Sequence, residues 1–156
     1  MEGLLYATIW LALALFVLAE IGRGPRGGAA AAWARPAWII SALFAIAHAL
    51  LAFDLRYGWN HETAVRETAR EGAALYGMEW RGSLYVNYLF ITLWLIAAWR
   101  WTHWLWRGFV LMMIVNGAIL FARPIARPFG VVLVALLAWA WLRTARSGAN
   151  AVTRPS

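Results

Sequence analysis

Five apolar runs decide what this chain can fold into: Leu4–Ala19, Ala37–Phe53, Leu84–Trp99, Gly108–Ala122 and Phe129–Leu142. Each is nearly continuous, without the polar stripe that a helix on a soluble core carries. A helix needs about 20 predominantly apolar residues to cross a bilayer, with about 17 as a practical lower limit. With their flanks included, the runs become spans over residues 4–21, 37–55, 83–102, 106–122 and 125–143. The fourth and fifth reach spanning length only through flanking Trp, Arg and Ile residues. Composition agrees: only 13% of the 156 residues are charged, against about 25% in soluble domains. The expected fold is all-α, a single polytopic transmembrane helix bundle over residues 1–146 followed by a flexible tail over 147–156.

The first run is read as a retained span and not as a cleaved leader. It starts beside Glu2 instead of a basic segment, and no clear small-x-small cleavage site follows it. A Gly/Pro/Arg-rich loop over residues 22–36 separates it from the second span.

The segment from Asn60 to Gly77 is of another kind, because charged residues recur through it. Asn60 suits an N-cap, with Glu62 in the first turn, where the helix dipole favours an acid. Gly77 suits a C-cap. Glu62–Arg66 and Glu67–Arg70 are helical neighbours that attract, whereas Glu67–Glu71 repel. Val65, Thr68, Ala69, Gly72 and Leu75/Tyr76 form a weak apolar stripe. The expectation is an extracytoplasmic surface helix over 60–77, between the second and third spans, with Tyr57, Trp59, Tyr76 and Trp80 as interface anchors.

Arginine counting orients the chain, since every one of its 14 basic residues is arginine. With the N-terminus outside, the cytoplasmic segments hold Arg23, Arg26, Arg35, Arg100, Arg107, Arg143, Arg146 and Arg154. The outer segments hold Arg56, Arg66, Arg70, Arg81, Arg123 and Arg127. The bias favours N-terminus out and C-terminus in; the absence of lysine beside abundant Ala, Arg, Gly and Trp suggests a GC-rich bacterial genome, so the expectation is a multi-pass protein of the bacterial inner membrane. Arginines at the ends of apolar runs are topology signals; with no basic stripe on a polar element, nucleic acid is excluded as a partner. Trp99, Trp101, Trp104 and Trp106, interleaved with Arg100, His103 and Arg107, read as interface anchors of the same belt.

Polar residues inside spans are the functional leads, because burying them in lipid is costly. His48 is the deepest, on a small-residue face with Ser41, Ala45 and Ala52 that suits close helix packing. With the expected topology, His48, Asp54, Asn87 and Asn116 all fall in the outer half of the bundle, as candidates for a ligand-binding pocket or for hydrogen bonds between helices. His48, Asp54 and His61 form a weak metal candidate. Residues 48 and 54 do not share a helix face, so such a site needs the chain to fold back. Haem or a metal is compatible with His48, but no second signal indicates either. Glu20 is expected to pair with a loop arginine.

The absence of cysteine and lysine excludes thiolate chemistry and Schiff bases, and no catalytic motif stands out. The leading expectation is a small non-enzymatic membrane protein, an accessory or structural subunit of a larger assembly, whose partners are the lipid bilayer and other membrane subunits or a second copy of itself. The alternative is a membrane-embedded binder of haem, quinone, metal or another small ligand in an outer pocket around His48. A minimal transporter ranks lower, for want of internal repeats and of buried charge pairs, and an enzyme ranks last. In span number, length and tryptophan content the chain resembles the tryptophan-rich sensory protein (translocator protein) family. That likeness is architectural: only Arg35-Pro-Ala-Trp38 comes near the family's Trp/Pro-rich second-helix start, and the long outer segment departs from it.

Overall fold

The structure is a computed structural model that describes residues 2–24, 29–100, 107–120 and 122–152. Among these residues there are six α-helices and no strand: α1 (Glu2–Gly22), α2 (Ala34–Tyr57), α3 (His61–Tyr76), α4 (Ser83–Arg100), α5 (Arg107–Val115) and α6 (Arg127–Val152). A π-helical turn, Asn116–Leu120, continues α5.

Three helices are long and apolar enough to cross a membrane: α1 with 21 residues, α2 with 24 and the first 19 residues of α6. The apolar parts of the other two, Ser83–Trp99 and Arg107–Leu120, are shorter. The expected third and fourth spans, 83–102 and 106–122, include residues outside the described ones, whereas the fifth run, expected to be short, lies in a helix of 26 residues. The reason is helix propagation. Once a helix is nucleated, each further residue adds a hydrogen bond at little cost, so α6 starts at the Arg127-Pro128 pair and runs on through Val152, past Arg146 where the tail was expected to begin.

α1 is the central element, packed most extensively on α2 and also against α6. Its buried face, Leu5, Thr8, Ala12, Leu13, Phe16, Val17 and Ala19, repeats at helical spacing, while Leu4, Leu11 and Leu18, seven residues apart, point outward. Ser41, Ala42 and Ala45 of α2 are buried, and small residues of this kind let helix backbones approach. Phe16 sits between two tryptophans, 5.8 Å from Trp38 and 5.4 Å from Trp94 by ring centroid. These three rings join α1, α2 and α4 in the lower half of the bundle.

Polar bonds tie the helix ends into two groups. At the upper end, Arg123 pairs with Glu2 at 2.8 Å, Arg56 donates to the Tyr6 hydroxyl at 3.4 Å, and the Tyr76 hydroxyl bonds to the Asn116 amide oxygen. At the lower end, Arg35 reaches the Trp99 carbonyl and Arg143 the Ile21 carbonyl. α1, α2, α4, α5 with its π-turn, and α6 therefore alternate in direction.

α6 meets the π-turn through Gly130. A Cβ at Gly130 would collide with the Ala118 carbonyl, so only glycine allows this approach. α3 lies across the upper ends of α2 and α4, burying Ala64, Val65 and Ala69; the first two form a small cluster with Leu84, Phe53, Tyr57 and Tyr88. The expected stripe is kept at Val65 and Ala69, but Leu75 and Tyr76 are exposed. The Asn60 side chain accepts from the Thr63 N–H at 2.9 Å, and Gly77 closes the helix with φ 71°.

Candidate functional site

Beneath α3, α2 and α4 part to form an open groove of about 440 Å³, lined by Ala49, Leu50, Phe53, Trp59, Tyr88, Ile91 and Thr92. That volume lies in the range of about 300–1,000 Å³ typical of small-molecule sites. Residues 49, 50 and 53 share one side of α2, and 88, 91 and 92 one side of α4, as helical periodicity requires. The walls are apolar, and aromatic rings close the upper end.

The turn after α2 builds that upper end. Gly58 takes the left-handed conformation at φ 53°, and Trp59 follows it at φ 59°. The Trp59 N–H returns to the Phe53 carbonyl at 2.9 Å, which also accepts from the Gly58 N–H, so the turn is pinned back onto the end of α2. For a bulky residue a positive φ is an outlier, costing on the order of 1–2 kcal/mol. Two contacts hold Trp59 there: its Nε1 donates to Asp54 Oδ1 at 3.0 Å, and its indole lies 6.1 Å from the Phe53 ring. The indole remains 61% exposed. Strain of this kind survives only where the surroundings over-determine it, and it concentrates at functional sites.

Behind Trp59 stands an aromatic group. Phe53 stacks on Tyr88 at 6.1 Å, and Tyr88 stacks on His61 at 6.1 Å. The two His61 ring nitrogens face two phenols, Nε2 toward Tyr85 at 3.4 Å and Nδ1 toward Tyr88 at 3.3 Å. Charges nearby are already matched. Arg56 pairs with Glu71 at 3.5 Å, and Arg81 with Glu62 at 2.6 Å, so Glu62 goes to Arg81 and not to the expected Arg66. Glu67 and Arg70 do pair, at 3.0 Å. Asp54 takes part in none of the ion pairs among the described residues. The turn gives it the Trp59 indole as its partner.

The other residues singled out from sequence lie apart from one another. His48 faces α1, with Nδ1 2.9 Å from the Leu5 carbonyl. A carbonyl only accepts, so Nδ1 carries a proton. Asn116 accepts from Tyr76 across the upper end. Asn87 is exposed, one turn above the buried Phe90 on a face that is covered lower down. Of the four, Asp54 bonds to a residue that lines the groove, Trp59. His48, Asp54 and His61 each bond to a different group, and no cluster of three potential metal ligands occurs among the described residues. Trp99 is exposed at the lower end, while Trp101, Trp104 and Trp106 lie outside the described residues.

The lower end holds a second polar cluster. Glu20, 2% exposed, accepts from Arg23 Nε at 3.1 Å and from Trp141 Nε1 at 2.7 Å, and Arg107 lies 3.8 Å away. Arg23 covers the Trp38 ring at 4.5 Å and Arg107 the Trp141 ring at 5.1 Å. Burial lowers the Arg23 pKa, and Glu20 opposes that shift. The pairing of Glu20 with an arginine at the loop edge was legible in the sequence. The contributions of Arg107 and Trp141, from α5 and α6, were not, nor was the burial of the pair.

Compared with known proteins, the chain matches no family, no curated protein and no solved structure. The geometry of the groove and of the Glu20 cluster is therefore the ground for any functional statement.

Proposed function

We propose that this chain is an integral protein of the bacterial inner membrane that crosses the bilayer five times, N-terminus outside, and that without catalysing a reaction it holds an apolar membrane molecule in the groove between α2 and α4. The alternation of helix directions and the arginine bias toward the lower end support this topology, with α3 as an extracytoplasmic cap. The shorter α4 and α5 are compatible with crossing because a bilayer thins locally around short helices at modest cost. The chain has no cysteine, so single cysteines at Gly72 and Ala145, labelled from outside intact cells, test the topology. Labelling at Gly72 and protection at Ala145 are expected.

The observation that carries the binding function is Trp59, held at positive φ by Asp54 at the mouth of an apolar groove. A strained aromatic ring left mostly exposed suits contact with a ligand better than packing. The test is organic extraction of the purified protein and of Leu50→Trp, which fills the groove. A molecule carried at near-stoichiometric amount by the native protein and lost from the variant is expected; equal content in both defeats the proposal.

A second function, accessory subunit of a larger assembly, is favoured by a different surface. Leu75, Tyr76, Met78 and Trp80 are all exposed at the end of α3 and in the loop after it, outside the proposed spans. Apolar patches there mark contact with a partner or the membrane surface. A strictly monomeric protein in mild detergent, with nothing co-purifying, counts against it.

A further inference from the structure

We infer that the groove molecule is a phospholipid with an ammonium headgroup, its acyl chain along Ala49, Leu50, Ile91 and Thr92 and its ammonium against Asp54 and Trp59. This rests on the groove binding proposed above and adds the chemical class of its occupant.

Three observations select this class. The first is charge. Asp54 is a carboxylate without an ion-pair partner among the described residues, at the upper end of a spanning helix, while Arg56 and Arg81 on either side are engaged by Glu71 and Glu62. An ionised carboxylate offers about four acceptor sites, and the Trp59 indole uses one of them. A cation fits the rest, and an anionic headgroup is repelled. The second is the ring. Trp59 is the aromatic side chain that attracts ammonium groups most strongly through its face, and here it is exposed beside the carboxylate. The third is the use of donors. A quinone needs donors for its carbonyls, yet the Trp59 N–H is spent on Asp54 and the Tyr88 hydroxyl is engaged with His61. The Thr92 hydroxyl donates to the Tyr88 carbonyl at 2.8 Å.

The lengths agree as well. Asp54 stands five residues above Ala49 on α2, a rise of about 7.5 Å at about 1.5 Å per residue. The ammonium then sits at headgroup level when the chain enters the groove from the outer leaflet.

The experiment is native mass spectrometry of the purified full chain, delipidated and then mixed with equal amounts of phosphatidylethanolamine, phosphatidylcholine and phosphatidylglycerol of identical acyl chains. The two ammonium lipids are expected to be retained about tenfold over phosphatidylglycerol, a factor equivalent to about 1.4 kcal/mol. Their relative retention tells whether a primary or a quaternary ammonium is preferred. Asp54→Asn, an exposed and isosteric change, abolishes the preference, and Trp59→Leu weakens it. Equal retention of all three lipids, preference unchanged in Asp54→Asn, or displacement of the lipids by an added ubiquinone overturns the headgroup assignment. Leu50→Trp separates the two proposals: if it removes all three lipids while none is preferred, the groove binds chains without reading the headgroup. If it removes none, the groove itself is not the site.

Discussion

The Trp59 indole donates to the Asp54 carboxylate at 3.0 Å across the end of α2, and it does so from a backbone conformation that tryptophan rarely adopts. The contact links five residues of sequence to the architecture of the groove, because the same turn directs the chain into α3. Trp59→Gly separates conformation from contact. Glycine adopts φ 59° without strain, so thermal stability in detergent is expected to stay within about 1 kcal/mol of the parent, while lipid retention falls. A large loss of stability instead would make Trp59 a packing residue.

The Glu20 cluster behaves in the opposite way. Removing one partner from a buried ion pair leaves an uncompensated charge and costs about 3–5 kcal/mol. Glu20→Ala takes the Glu20 carboxylate from Arg23 and Arg107 and the acceptor from Trp141. Unfolding titrations in mixed micelles are expected to show a loss of that order, with lower accumulation in membranes. A stability within about 1 kcal/mol of the parent, as for an exposed pair, would show that water reaches the cluster.

Gly130 and Gly117 differ in what surrounds them: Gly130 packs on the π-turn at Ala118, whereas Gly117 faces open space. Gly130→Ala drives a methyl into the Ala118 carbonyl and is expected to destabilise the bundle by about 1–3 kcal/mol. Nothing lies within 4 Å of a Cβ at Gly117, so Gly117→Ala is expected to be neutral or to stabilise by up to about 1 kcal/mol through helix propensity. Comparing the two melting curves checks the close approach of α6 to the π-turn.

His48→Phe removes the bond to the Leu5 carbonyl. Side-chain hydrogen bonds between membrane helices average about 0.6 kcal/mol and reach about 1.7 kcal/mol, and a loss in that range is expected. Lipid retention should not change, because His48 points to α1 and the groove lies on the α4 side. Loss of a visible absorption band or of bound metal on this substitution would restore His48 as a ligand.

Asn60→Ala removes the cap of α3. Hydrogen exchange is expected to accelerate at the first turn, around Thr63, with a cost of about 1 kcal/mol to the helix, while amides of α1 remain protected. Uniform acceleration would show that α3 is needed for the bundle as a whole.

What the sequence determined by itself was local. Continuous apolar runs imposed helices, because a helix satisfies its backbone polar groups within one segment. Asn60 and Gly77 bracketed α3, because a cap depends on residues within one turn of it. Tertiary structure decided what joins distant segments: that Glu20 meets Trp141, that Asn116 meets Tyr76, that His48 bonds to a carbonyl of α1. No periodicity carries such information, since it depends on the rotation of each helix about its axis, which packing at residues such as Phe16, Trp38 and Gly130 sets. The candidate site shows both limits. Asp54 could be picked out as a carboxylate at a helix end, but Trp59 read as one interfacial tryptophan among several. Only a left-handed turn, stabilised by Asp54 and Phe53 together, turns it toward the groove.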